Sequence, residues 1–311
     1  MKLLPTITCP RCGQPCAVSP QTVYPRAAKD YESCLRKCAP CGFGFSNAFT
    51  GDAALLTVIY RNPFEFLPAH IADGHGRVLT NSLNETNRSS KAKRFTFGSS
   101  EDHLTWTVFR HLQLEGKLRL ALTQLGLQIA SASEPTLLLW GSAVPADDAP
   151  GAQVREKLLS VSNKLGEIST RRSEPDVVLD FGAAGVVLVE VKHRSPNEVK
   201  SADYPNWSRY VKATPAFRSE EAVKSAGLYE LARNWRFAAE LADGRPFAVV
   251  NLGPERLFNG DHRRRLEAFI AALNQSGSNR FLTATWPQFF AGVQPLPQWL
   301  TSYLSDRKVL R

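Results

Sequence analysis

The sequence predicts an α/β protein in which a small metal-binding module precedes a larger unit of strands and helices. Cysteines are confined to the first part of the chain, since all six lie before residue 42. Two apolar runs rich in β-branched residues, at 176–181 and 186–192, flank a glycine-rich turn and predict a hairpin of strands. Segments with helical spacing of apolar residues lie on both sides of that hairpin, at 99–116 and 219–242.

The composition is that of a globular protein with an excess of positive charge. Of the 311 residues, 43% are hydrophobic and 22% charged, a balance that excludes wholesale disorder and suits one large domain or two. The sequence has no apolar run of about eighteen residues, so a membrane span is not expected. The start at 1–5 has no apolar region long enough for a secretory signal, and a cytoplasmic protein is therefore the expectation. The net charge of +9 favours a polyanionic partner only modestly.

Four of the cysteines have the spacing of a structural zinc site. Cys9 and Cys12 form one Cys-x-x-Cys-Gly turn, and Cys38 and Cys41 form another. Two intervening residues let both sulfurs of a turn converge on one ion, and the glycine that follows accepts a positive φ. The spacing therefore predicts one structural Zn²⁺ in a zinc-ribbon-like module over residues 1–50.

Cys16 and Cys34 are left outside this ligand set. They are interpreted as buried thiols, or as thiols that exchange with a ligand of the inner set. Disulfides would need an oxidising compartment, for which the sequence shows no export signal. The module resembles a zinc ribbon, a type of module that often contacts nucleic acid or protein.

Residues 51–94 are interpreted as accessory strands followed by a basic linker. A strand is predicted at 54–60, and the stretch 84–94 is polar and has no apolar period. The basic residues of this stretch are weak candidates for contacts with nucleic-acid phosphates, and a plain linker is the alternative. These residues are Arg88, Lys91, Lys93 and Arg94.

A helix is predicted to begin within 99–102 and to end near Gly116. A serine N-cap followed by acids in the first turn satisfies free amides and complements the helix dipole. Leu104 and Leu112 belong to an apolar stripe at helical spacing. Glu101 therefore lies in the first turn, where its local role is to stabilise the helix.

The hairpin places three polar side chains together. Glu190 and Lys192 alternate with apolar neighbours and share one face of their strand. A three-residue loop within 182–185 pairs even-numbered positions with even-numbered ones, which brings Asp176 to the same face. A two-residue loop would turn Asp176 away. Asp180 shares the parity of Asp176 and is the rival candidate.

Two carboxylates and a lysine at the end of a hairpin suit the cleavage of a phosphodiester bond. Carboxylates hold Mg²⁺, the ion lowers the pKa of a bound water, and a lysine stabilises the transition state. The triplet Glu-x-Lys alone is not specific, because it occurs at 115–117, 190–192 and 198–200. Only the second lies in an apolar strand downstream of a Pro-Asp pair. The alternative is a hairpin whose polar residues reach solvent at a sheet edge.

In this region the chain resembles the PD-(D/E)xK nuclease superfamily, which has the restriction-endonuclease-like fold. The resemblance implies a mixed central sheet flanked by helices over residues 95–295, with 296–311 as a C-terminal tail. The segments that carry it are 100–106, 174–176, 194–198 and 229–235. The order of elements agrees as well: a helix at 99–116, a strand at 137–140, the hairpin, a helix at 219–242 and a strand at 246–252.

By that resemblance, Asp176 and Glu190 are metal ligands, and Val191 between the motif residues is a further ligand. Lys192 becomes the catalytic lysine. Glu101 matches an acid that many members of the superfamily supply from the first core helix, and it joins the metal ligands. The ion is Mg²⁺ or Mn²⁺.

Tyr229 and Arg233 are weak candidates for contact with substrate, because the helix that carries them packs near the metal site in this fold. The two residues are four apart and share a face, so a surface cation–aromatic pair is the alternative.

The function that this reading favours is a metal-dependent endonuclease acting on DNA, in bacterial defence or DNA processing. The competing hypothesis is a non-catalytic adaptor that binds nucleic acid or protein through the zinc ribbon. No sequence feature separates DNA from RNA. A homodimer or a partner protein is plausible, since cutting both strands needs two sites or two successive nicks.

Overall fold

The computed structural model describes residues 4–18, 25–277 and 279–310, so residues 1–3 and 19–24 of the predicted N-terminal module lie outside the described residues. The first strands are β1 (Ile7–Thr8), β2 (Pro15–Val18), β3 (Arg36–Cys38), β4 (Phe43–Phe45) and β5 (Val58–Tyr60). The later strands are β6 (Thr136–Leu139), β7 (Ser142–Val144), β8 (Val177–Asp180), β9 (Val186–Val191), β10 (Phe247–Gly253) and β11 (Asn279–Thr285).

Helices lie between and after these strands. The first six are α1 (Ala69–Ala72), α2 (His75–Thr80), α3 (Arg88–Arg94), α4 (Glu101–Leu114), α5 (Leu118–Gln124) and α6 (Ala149–Lys164). The remainder are α7 (Trp207–Val211), α8 (Glu220–Ala226), α9 (Tyr229–Ala242), α10 (Gly260–Ala272), α11 (Trp286–Ala291) and α12 (Gln298–Asp306).

The N-terminal module is built on a five-stranded sheet in the order β1-β2-β3-β4-β5, with antiparallel neighbours. The strand predicted at 54–60 is shorter than expected, because Asp52 caps a 3₁₀ turn at Ala53–Leu55. Since β5 pairs with β4 inside the sheet, the module extends past the boundary expected at residue 50.

The linker predicted at 84–94 is wrong. Asn84 caps a 3₁₀ turn at Glu85–Asn87, and α3 follows it. Lys91 is buried, and its Nζ lies 2.7 Å from the Asp102 carboxylate. The basic stretch therefore forms a helix that packs against the larger unit. The Asp102 carboxylate compensates the charge of Lys91 where it is buried.

The larger unit is a six-stranded mixed sheet in the order β11-β10-β9-β8-β6-β7, and helices cover both of its faces. β9, β10 and β11 are parallel to one another. β8, β6 and β7 pair antiparallel, and β8 joins β9 as an antiparallel hairpin. The strands predicted at 137–140, in the hairpin and at 246–252 are all present.

The hairpin has the register that the sequence required. Asp180 pairs with Val186, and Gly182–Ala184 forms the tight turn between the two strands. Pairs therefore join residues of equal parity, with Val177 opposite Val189. The predicted three-residue loop is confirmed.

Two apolar clusters divide the sheet into faces. Val177, Val189 and Val191 pack with α4, α5, α11 and α12. Val178 and Leu188 pack with α6 to α10 on the opposite face. Even-numbered positions at the end of this hairpin therefore face α9.

The long helix predicted at 219–242 is two helices. Gly227 ends α8 with a φ of 77°, and its carbonyl oxygen accepts a hydrogen bond of 2.9 Å from the Lys200 N–H. A Cβ at this position would lie 3.0 Å from the Lys200 carbonyl oxygen. The break starts α9 at Tyr229 and turns its first residues towards the end of the hairpin.

Of the C-terminal tail expected at 296–311, the described residues 296–310 are folded onto the larger unit. They contain α12, whose buried Leu300, Tyr303 and Leu304 join the core on the α4 face. Arg307 is buried behind it and donates a 2.8 Å hydrogen bond to the carbonyl oxygen of Gly98. The C-terminal segment is therefore part of the core, because it covers the apolar residues of α4.

Candidate functional site

The candidate site lies where β9 runs past the start of β8 and loses its strand partner on that side. The Asp176 carboxylate takes the partner's place, since its Oδ2 accepts a 2.9 Å hydrogen bond from the backbone N–H of Val191. Extending the hairpin register by one residue sets Asp176 opposite Glu190. The two acids therefore come from facing positions of neighbouring strands.

Glu101 binds the next amide along the same edge of β9. Its Oε1 accepts hydrogen bonds from the His193 N–H at 2.9 Å and from the Ser195 hydroxyl at 2.6 Å. Amides on one side of a strand are two residues apart, or about 7 Å. The backbone carbonyl of Val191 leaves the strand between them on the same side, so Asp176 and Glu101 flank it.

Glu190 and Lys192 lie on the face of β9 that α9 covers. Both side chains are buried, with 3% and 6% of the residue exposed, and Lys192 Nζ lies 2.7 Å from Glu190 Oε1. The other oxygen of Glu190 accepts a 2.6 Å hydrogen bond from the Asn234 amide. Both oxygens of this buried carboxylate therefore have a protein donor.

Glu230 is a further acid at this site, and the sequence analysis missed it. It lies in the first turn of α9, and its Oε2 lies 2.9 Å from Lys192 Nζ. Glu230 and Asn234 are four residues apart on one helix, so they project side by side onto the end of β9. The four-residue spacing of Glu230 and Asn234 can be seen in the sequence. It indicates a place in the site only once the helix is known to break at Gly227.

The buried charges shift each other's protonation. Burial, followed by the nearby Glu190 carboxylate, raises the pKa of Asp176 well above its usual range. Burial alone would lower the pKa of Lys192, but the carboxylates of Glu190 and Glu230 outweigh it and raise that pKa. Lys192 is therefore a fixed cation between two carboxylates, and Asp176 is an acid that holds its proton unusually tightly.

The three predicted carboxylates are not equally close. Within the described residues, the four cysteines are the one group of three or more His, Cys, Asp or Glu whose ligand atoms all lie within 4.8 Å of one another. Asp176 and Glu190 are neighbours, whereas Glu101 is held by the amides farther along β9. The structure thus brings two of the three acids together and places Glu101 beside them.

The other acids near the hairpin have structural partners. Asp180, the rival candidate, lies at the turn end and binds the Arg245 guanidinium through both oxygens, at 3.0 and 3.1 Å. Glu174 accepts a 2.7 Å hydrogen bond from the Asn84 N–H and lies 3.5 Å from Lys91 Nζ.

Of the six weak nucleic-acid candidates, several turn inwards. Lys91 is buried between Asp102 and Glu174, and Arg88 donates to the Ser82 carbonyl oxygen at 2.8 Å. Lys93 and Arg94 are exposed.

The expected pair of Tyr229 and Arg233 is not a surface pair. Tyr229 is buried among the rings of Tyr204, Trp207 and Tyr210, with ring centroids 5.0 to 5.6 Å away. Arg233 is half-buried and donates to the Asn234 side chain instead. Apolar packing of α9 against α7 accounts for this arrangement.

The N-terminal module carries a second metal-site candidate. The Sγ atoms of Cys9, Cys12, Cys38 and Cys41 all lie within 4.8 Å of one another, an arrangement compatible with a structural zinc ion. Hydrogen bonds, first from the backbone at Gln14, lower the pKa of Cys12 to about 7.

Cys16 and Cys34 are buried outside this group. Burial raises the pKa of each thiol to about 12. They are thus buried thiols, one of the two interpretations that the sequence left open.

The chain matches no protein-family model, no curated protein and no solved structure at a significant level. Among the described helices, none is both long enough and apolar enough to cross a membrane.

Proposed function

We propose that the protein is a metal-dependent phosphodiesterase that cleaves nucleic acid, with DNA as the first substrate to test. The observation that carries the proposal is the meeting of Asp176, Glu190 and Lys192 at one end of the β8–β9 hairpin. Buried charges are costly unless they are paired or serve a function. Here two acids and a lysine share one edge, and Asp176 gains no cationic partner at salt-bridge distance among the described residues.

The order of elements supports a restriction-endonuclease-like fold for this unit. α4 precedes an antiparallel run of strands, β6, β8 and β9. α9 then leads to β10, which is parallel to β9. This is the order that the resemblance to PD-(D/E)xK nucleases implies, with β7 and β11 at the edges of the sheet.

The residues present suit a hard divalent cation such as Mg²⁺ or Mn²⁺. Asp176 and Glu190 would hold it, together with the backbone carbonyl of Val191, the one oxygen that a valine offers. Glu101 lies beside this carbonyl and would bind through the ion's waters. When bound, the ion lowers the pKa of a coordinated water and neutralises charge on the phosphate.

Lys192 supplies a positive charge that does not depend on the ion. Its ammonium is fixed by Glu190 and Glu230, so it is oriented before substrate arrives. A preorganised cation stabilises the negative charge that develops on a pentavalent phosphorus transition state. Asn234 holds the Glu190 carboxylate in place from the other side.

For the N-terminal module we propose a structural Zn²⁺ on Cys9, Cys12, Cys38 and Cys41. Four thiolates complete a tetrahedral site and leave no open position for catalysis. The role is then to hold together a sheet of short strands that has a small apolar core of its own.

The proposal is tested by incubating the full chain with supercoiled plasmid, single-stranded DNA and RNA, each with Mg²⁺ or Mn²⁺. We expect cleavage of at least one substrate, and a loss of about a hundredfold or more in Asp176→Asn and in Glu190→Gln. Both substitutions keep side-chain size and a hydrogen-bond acceptor. Cleavage that is equal in these variants and in the wild type would reject the assignment. Tight, salt-sensitive binding without cleavage under either metal would favour the adaptor instead.

A further inference from the structure

Four cations that have no acidic partner in the part of the chain that the structure describes surround the end of β9 on the side of Glu101. Arg94 and Arg194 line a pocket with Glu101 and Ser195, and Arg256 and Lys308 line the adjoining pocket with Arg194. We call the surface formed by Arg94, Arg194, Arg256 and Lys308 the basic rim. Within residues 4–18, 25–277 and 279–310, none of the four forms a salt bridge.

The chain ties the basic rim to the candidate site. Arg194 follows Lys192 by two residues, and the amide between them belongs to His193, which binds Glu101. Arg256 Nη2 donates to the carbonyl oxygens of His193 and Arg194, at 3.1 and 3.0 Å. These are bonds to neutral groups, so the positive charge of Arg256 stays uncompensated beside the end of β9.

The acids in the same pockets do not neutralise the basic rim. The Asp102 carboxylate forms a salt bridge with Lys91, whose Nζ lies 2.7 Å from Asp102 Oδ1. Glu101 accepts its hydrogen bonds from the His193 N–H and from Ser195. Burial lowers the pKa of Arg194, and the like charges of Arg307 and Arg256 add to that effect, as expected where cations crowd together.

We propose that the basic rim binds the phosphodiester backbone of a nucleic acid and leads it to Asp176, Glu190 and Lys192. The inference rests on the proposed function and identifies where its substrate lies. Guanidinium groups suit phosphate oxygens, and several cations along an edge suit a repeating anion better than a single small one. The carboxylates of the site would themselves repel a phosphate, so adjacent cations are needed to retain it.

The test measures binding apart from cleavage. A fluorescently labelled duplex, its single strand and an RNA of the same sequence are titrated with the full chain, without added divalent ions, at several salt concentrations. For at least one probe we expect Arg94→Gln/Arg194→Gln to weaken binding about tenfold and to reduce the salt slope by about two. Among the residues that the structure describes, neither side chain has a hydrogen-bond or salt-bridge partner, so the fold should be kept. Circular dichroism checks this.

The matched control is Arg263→Gln/Arg264→Gln on α10, which removes the same charge from two exposed arginines that already have acid partners. Its binding should equal that of the wild type. Equal weakening by both pairs, no binding of any probe, or equally tight binding of polyglutamate would overturn the proposal. Rim-dependent binding with no cleavage by the wild type would retain the basic rim and reject the nuclease.

Discussion

The described residues contain a group of four thiols and a group of acids, and the two groups are built in opposite ways. The four thiols of the N-terminal module come from two short turns and lie within 4.8 Å of one another. The acids of the hairpin site come from α4, the start of β8, β9 and α9. Their carboxylate oxygens contact backbone amides, the side-chain amide of Asn234 and the ammonium of Lys192.

The difference indicates two roles. A closed set of four soft ligands stabilises the fold when its metal binds. Acids that are crowded together and partly withdrawn from solvent, with Glu190 buried, cost stability and are retained where they serve a reaction. The cysteine cluster should therefore be needed for folding and the carboxylate cluster for activity, and each expected outcome below tests one side of that contrast.

Loss of the zinc site should have the largest effect. Structural zinc contributes on the order of 10 kcal/mol to small modules at neutral pH. We expect Cys38→Ala to abolish zinc binding and to unfold the sheet β1–β5. Metal analysis and hydrogen exchange of the amides in that sheet provide the measurement.

Cys34→Ala is the matched control, because Cys34 is equally buried but lies outside the ligand group. It should retain about one zinc per chain. Equal loss of zinc in both variants, or a folded module without metal, would contradict the contrast.

Substitution of Glu230 should have a smaller effect, confined to activity. Glu230→Gln keeps a hydrogen-bond acceptor for Lys192 but removes one of the two negative charges that contact the lysine. We expect a loss of about tenfold in kcat, or about 1.4 kcal/mol of transition-state stabilisation, with KM nearly unchanged.

Glu240→Gln on the same helix is the control, since Glu240 binds Lys164 and Arg236 away from the site. Steady-state kinetics of both variants make the comparison. A fall in KM or kcat that is the same for both would show that the charge of α9, and not the position of Lys192, is responsible.

Asp176→Asn should raise stability, the opposite of the effect expected for cysteine. Because the pKa of Asp176 is raised in the folded state, that state binds its proton more tightly than the unfolded chain does. The free energy of unfolding of the wild type therefore falls as the pH rises above about 4, the ordinary value for an aspartate. The variant should lack this contribution and gain about 1 kcal/mol at neutral pH.

Urea unfolding at several pH values measures the effect of Asp176→Asn, and Asp180→Asn is the control. Asp180 has Arg245 as its partner, so its substitution should cost about 2 kcal/mol. If both variants lose stability alike, the cost assigned to Asp176 is absent.

Local patterns predicted the elements that depend on near neighbours. The cysteine spacing placed Cys9, Cys12, Cys38 and Cys41 together, and loop parity placed Asp176 on the same face as Glu190 and Lys192. Both features depend on only a few consecutive residues and on the fixed geometry of a turn or a strand.

The features that the sequence did not predict depend on contacts between residues that are far apart along the chain. Glu230 reaches Lys192 only because Gly227 breaks the helix against the segment at Lys200. Lys91 reads as a linker charge until Asp102 is folded next to it. In each case the decisive partner is an acid or a backbone group whose position is set by tertiary packing.

The most direct test uses two identical triplets. Glu190-Val191-Lys192 is buried at the end of β9, whereas Glu198-Val199-Lys200 lies in a largely exposed segment, although each lysine is 2.7 Å from its glutamate. Initial rates of nucleic-acid cleavage with Mg²⁺ are measured for Lys192→Ala and Lys200→Ala at matched concentration. We expect a loss of about a hundredfold or more for Lys192→Ala and wild-type activity for Lys200→Ala. Equal rates in the two variants would contradict it.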